Sequence, residues 1–113
     1  MEMDLKNFFK FLLERKINEA EKELSRVRGE GGSEWERGFI KALEGLLLAY
    51  KNPNDKYLFL NKNAFTKQGL RKLKREFLKH SKDELHAEYD RGYFSCMVEY
   101  AKALEKMGPA EGG

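Results

Sequence analysis

The chain is short of several residue types, and each shortage closes off a class of protein. Its single cysteine, Cys96, excludes an internal disulfide and any multi-cysteine zinc site, and fits a reducing compartment. No apolar run approaches the roughly 20 residues that a membrane-spanning helix requires. The stretch from Met1 to Lys10 has acids and an aromatic pair in place of a basic segment leading into an uncharged one, so it does not read as a secretory signal. A soluble cytoplasmic protein with no membrane partner is expected. Only one glutamine, Gln68, stands among many Lys and Glu, a bias that resembles hyperthermophile proteins, where charge networks suffer less from desolvation. Acid is also nearly missing from one region: between Lys62 and Lys82 six Lys and two Arg face a single Glu76.

That last shortage is the most informative. The basic region holds net +7, which leaves −4 for the remainder, so the overall +3 of the 113 residues hides a polarised molecule. What remains is well supplied for folding, with 41% hydrophobic residues, enough for one domain with a core that needs no metal or disulfide.

Helical periodicity dominates. Leu5, Phe8, Phe9, Leu12, Leu13, Ile17, Ala20, Leu24 and Val27 recur at steps of three and four, which predicts one helix from an N-cap at Asp4 to the Gly29–Gly32 loop. Ser33 and Glu36 form a capping box for a second helix, whose face of Trp35, Phe39, Leu43, Leu46, Leu47 and Tyr50 runs to the stop at Asn52-Pro53. A linker over 52–65 includes the apolar run Tyr57-Leu58-Phe59-Leu60. A third helix starts near Thr66 with Leu70, Leu73 and Phe77 inward. Ser81 with Glu84 predicts a second capping box, opening a fourth helix that reaches Lys106 before Gly108 and Pro109, and a frayed tail over 108–113.

The fourth helix repeats the second. Glu34-Trp35-Glu36-Arg37-Gly38-Phe39 aligns, 54 residues on, with Glu88-Tyr89-Asp90-Arg91-Gly92-Tyr93. Ile17, Ala20 and Leu24 match Leu70, Leu73 and Phe77 at an offset of 53. The expected fold is all-α: one compact four-helix domain of two duplicated helical hairpins, about 4–51 and about 66–107. Gly38 and Gly92 each weaken a helix by about 1 kcal/mol relative to Ala, so close helix packing should offset them. The stripe Gly38, Ala42, Gly45, Ala49 predicts the same for its whole length. Arg37 and Arg91 are placed to pair with Glu34 and Glu88 three residues earlier.

The third helix carries the candidate site. Lys67, Arg71, Lys72, Lys74, Arg75, Lys79 and Lys82 fall outside its buried arc, which suits neutralisation of phosphates. The bland alternative is a solvated face, but the first helix interleaves Glu and Lys in the self-neutralising way such a face would. Leu78 lies amid the basic arc as a partner contact. Tyr57, Phe59 and Phe65 precede the helix; core plugging suits Phe59 and Phe65, while Tyr57 is the more open ring for stacking unpaired bases. No sheet-borne RNA motif, zinc finger or recognition-helix turn is visible, so backbone and shape recognition is expected over base reading.

Enzyme chemistry finds little support. No P-loop, dinucleotide fingerprint or Ser-His-Asp order occurs. His86 and Asp90 are four apart, but two ligands make no zinc site, and Cys96 lies among apolar neighbours as a small hydrophobe. Arg75 and His80 form an Arg-x4-His spacing that resembles the motif of the HEPN superfamily, small all-α domains that include metal-independent ribonucleases. That resemblance implies Arg75 and His80 as a catalytic pair, although here Phe77 and Leu78 fall inside the spacing; the alternative role for His80 is at a helix C-terminus, favoured by the dipole. The chain reads as a nonenzymatic, cofactor-free binder of RNA or a ribonucleoprotein particle such as the ribosome. The alternatives are an interaction module for an acidic protein and a HEPN-like ribonuclease.

Overall fold

A computed structural model describes residues 4–27, 32–51 and 67–107. Within them the chain is all-helical, with five helices and no strand: α1 (Leu5–Leu13), α2 (Ile17–Ser25), α3 (Glu34–Lys51), α4 (Lys67–Lys82) and α5 (Glu88–Met107). The linker with Tyr57, Phe59 and Phe65, most of the first glycine loop and the tail over 108–113 lie outside the described residues.

Two helix starts follow directly from their caps. Asp4 Oδ1 accepts the Asn7 backbone N–H at 3.1 Å, and Ser33 with Glu36 closes the reciprocal capping box, each bond 3.1 Å. The first predicted helix, however, is two. The Arg15 N–H bonds to the Leu12 carbonyl, and the Lys16 N–H reaches the Phe11 carbonyl at 2.8 Å, the pattern that ends a helix with a left-handed residue. Arg15 supplies it at φ 62°, a position usually given to glycine, and its guanidinium lies 5.3 Å from the Tyr50 ring centroid. The second predicted capping box is not formed either. Ser81 stays inside α4, donating its Oγ–H to the Leu78 carbonyl, and its own carbonyl accepts from Arg91 Nε at 3.4 Å. The break comes at Asp83, whose Oδ1 takes the Leu85 N–H at 2.9 Å in a side-chain turn, and α5 starts at Glu88.

Packing is most extensive between α3 and α5 and between α4 and α5, with α2 against α3 and α1 against both α2 and α5. Phe8, Leu12, Leu24, Val27, Leu43 and Cys96 form the centre of one core, fully enclosed. Phe39 and Met97 are buried as the pattern requires; Trp35, Leu73 and Phe77 pack on its edge.

The glycines explain how α3 and α5 meet. A Cβ on Gly38 would lie 1.8 Å from the Tyr89 carbonyl oxygen, and one on Gly92 would lie 1.9 Å from that of Trp35. Trp35 and Gly38 are the sequence equivalents of Tyr89 and Gly92, so the contact is reciprocal: each helix presses its glycine on the other's backbone. Near their far ends Tyr50 and Tyr100 touch, hydroxyl to hydroxyl at 2.6 Å, so the two helices run parallel. The small-residue stripe does not hold throughout. Gly45 is exposed, and a Cβ there would meet nothing within 4 Å, because it sits at the edge of the buried arc beside Lys41 and the exposed Leu48.

Candidate nucleic-acid interface

The α4 helix is amphipathic in an unusual sense: its inner arc is apolar and its outer arc is cationic. Leu70 is buried and Leu73 and Phe77 are half-buried against α5, which fixes the helix on the body and decides what faces outward. Lys67, Arg71, Lys72, Arg75, Lys79 and Lys82 are all exposed. At about 100° per residue these six occupy an arc of about 140°, shared only with Gln68 and Leu78, and Glu76 falls outside it. Among the described residues no carboxylate pairs with any of the six.

Lys74 stands apart. It is only half-exposed, and its Nζ lies 2.7 Å from Glu105 Oε1 on α5, so this cation is spent on the α4–α5 contact rather than offered to a ligand. Of the seven predicted site residues the helix therefore brings six onto one surface and turns the seventh toward the body.

Arg75 and His80 are not brought together. Five residues on a helix turn through about 140° beyond a full circle, which leaves Arg75 on the open arc while His80 faces α5. The His80 ring stacks on Phe94 with centroids 4.8 Å apart, and its Nδ1 lies 3.1 Å from His86 Nε2. His86 Nε2 is 3.8 Å from Asp83 Oδ2, so these imidazoles serve the turn between α4 and α5. Sequence reasoning missed this pair; its signal was two histidines six apart across a helix end. His86 precedes α5, so it shares no helix face with Asp90, and no group of three metal-ligating side chains exists among the described residues. Arg37 and Arg91 make their expected bonds to Glu34 and Glu88, at 2.9 Å and 2.8 Å.

Cys96 is enclosed, and burial, reinforced by Glu99, pushes its thiol well above the ordinary range, the opposite of a reactive thiolate. No described helix is long and apolar enough to cross a membrane. No family model matches this chain, and neither a curated protein nor a solved structure matches it.

Proposed function

We propose that the chain is a nonenzymatic RNA- or ribonucleoprotein-binding accessory protein of the cytoplasm, riding on a large particle such as the ribosome and held there through phosphate contacts of α4. The observation that carries this reading is the arc of Lys67, Arg71, Lys72, Arg75, Lys79 and Lys82, six exposed cations on one helix face with no carboxylate partner among the described residues. Each phosphate contact releases condensed counterions, so such an arc binds polyanions with a steep dependence on salt. The test is filter binding of RNA by the wild type and by the Arg71→Glu/Arg75→Glu/Lys79→Glu variant. The variant is expected to fold normally and lose binding; unchanged binding would refute the reading.

A second reading, an acidic protein partner, draws on two exposed leucines at this end of the molecule, Leu78 at 39% and Leu85 at 94% exposure. An interface anchored on them would respond weakly to salt and fail on Leu85→Asp, whereas phosphate binding would not.

We also infer that the two halves descend from one helical hairpin. The reciprocal Gly38 and Gly92 contacts and the 54-residue match support this, with α1–α2 and α4 as the diverged first arms. On that view the cationic face is an acquisition of the second copy.

A further inference from the structure

We infer that the occupant of the α4 arc is double-stranded RNA, lying across the two phosphate strands that bank its shallow minor groove. This rests on the phosphate-binding reading above and narrows it to one partner.

The arrangement of the cations is the reason. Lys67, Arg71, Arg75 and Lys79 follow the four-residue ridge of the helix, which is inclined about 26° to its axis. From Lys67 to Lys79 the row advances about 18 Å and moves about 120° around the helix, while Lys72 reinforces the far flank and Lys82 the middle. On a cylinder about 10–12 Å across, the two flanks stand about 10 Å apart. A single strand asks for a narrow line of charge and for ring faces on which its bases can stack. The charge of α4 spreads over an arc of about 140° in place of a narrow line, and among the described residues no ring lies on that arc. The two rings of α4, Phe77 and His80, are turned inward and stacked on Phe94 at 6.4 Å and 4.8 Å, and His86 covers Phe94 further. A cationic patch about 10 Å wide and about 18 Å long fits two phosphate strands on either side of a groove.

The mounting of α4 favours RNA over DNA. The major groove of B-DNA is about 8.5 Å deep, so a helix that reads it has to project far enough to reach the groove floor. Here Leu70, Leu73, Phe77 and the Lys74–Glu105 ion pair hold α4 down along α5, so only an arc projects. A wide, shallow groove lined by 2′-hydroxyls and phosphates accepts an arc, and that is the minor groove of A-form RNA. A lipid surface is a poorer match, since the apolar face that would enter it is already buried against α5.

The experiment is fluorescence anisotropy on the full chain with three probes of one sequence: an RNA duplex about 16 base pairs long, its single strand, and the DNA duplex, each across a salt series. The RNA duplex should bind tighter than the single strand by on the order of tenfold, with a logarithmic salt slope near about −5 for six contacts. Lys67→Gln and Lys79→Gln, on opposite flanks, should each flatten the duplex slope by about one unit. Equal or tighter binding of the single strand would overturn the two-strand geometry and leave the phosphate reading standing. Preference for the DNA duplex would overturn the assignment to A-form RNA. Failure to bind any of the three would remove both readings.

Discussion

Helices α2 and α4 do the same work in the interior and opposite work at the surface. Each is the arm that packs against a longer central helix, α2 on α3 and α4 on α5, through matched stripes of Ile17, Ala20 and Leu24 or Leu70, Leu73 and Phe77. The acids on the outer face of α2 find cationic partners: Glu23 meets Arg26, just past the helix end, at 3.4 Å and Glu21 meets Lys51 of α3 at 3.2 Å. On α4 the steps from Lys67 to Arg71, Arg75 and Lys79 set like charges four apart, each pair destabilising the helix by about 0.2–0.5 kcal/mol. Folding asks nothing of α4 that α2 does not already provide without a row of like cations. The excess of cations is therefore a feature that stability alone would remove, and a polyanionic partner gives it a reason.

The largest effect should come from breaking what the halves share. Gly38→Ala and Gly92→Ala each drive a Cβ into a carbonyl oxygen, at 1.8 Å and 1.9 Å, which forces α3 and α5 apart. Each should destabilise by about 3 kcal/mol, outweighing the roughly 1 kcal/mol that alanine adds in helix propensity. Urea unfolding of both variants checks this, and a reciprocal crossing requires the two losses to be similar. A large loss at one glycine with none at the other would break the comparison.

A smaller effect lies where the halves differ. Tyr50 and Tyr100 occupy positions matched by Leu104 and Leu46, so their buried hydroxyl pair has no counterpart. Tyr50→Phe should cost about 1–3 kcal/mol by orphaning the Tyr100 hydroxyl, while the double Phe variant should be nearly neutral, as a double-mutant cycle would reveal. Burial raises both phenols above their ordinary 10.0, so the folded state holds these protons more tightly than the unfolded one. Their contribution is full below about pH 10 and is lost as pH rises beyond it, and the double Phe variant should flatten that alkaline loss. The smallest effect is at Gly45, the counterpart of Glu99. Its open surroundings predict that Gly45→Ala stabilises by about 0.5–1 kcal/mol, opposite in sign to Gly38→Ala in the same helix, by thermal melting.

Much of this was legible from residues alone because it is local. The Asp4 cap, the Ser33–Glu36 box and the inward stripes depend on neighbours within a few residues, and they formed as their chemistry directs. The break at Arg15 was hidden because neither glycine nor proline marks it; a left-handed arginine is held there by two helix-ending bonds and by its contact with distant Tyr50. The Ser81–Glu84 box has the right letters, but the α4–α5 packing carries α4 past Ser81 and leaves the turn to Asp83. The cationic arc could be read from spacing, yet the withdrawal of Lys74 could not, since Glu105 lies 31 residues away. Gly38 and Gly45 look alike in sequence and differ only in what the fold sets beside them.

The central claim is that charge on α4 binds while charge on α2 merely solvates. The most direct measurement is RNA affinity across a salt series for two variants of equal charge change: Arg71→Glu/Arg75→Glu/Lys79→Glu on α4, and Lys16→Glu/Lys22→Glu/Arg26→Glu around α2. The account predicts that the α4 variant loses binding and flattens the salt slope by about three units, while the α2 variant stays close to wild type. Equal losses in the two variants would mean that only net charge matters, and would contradict it.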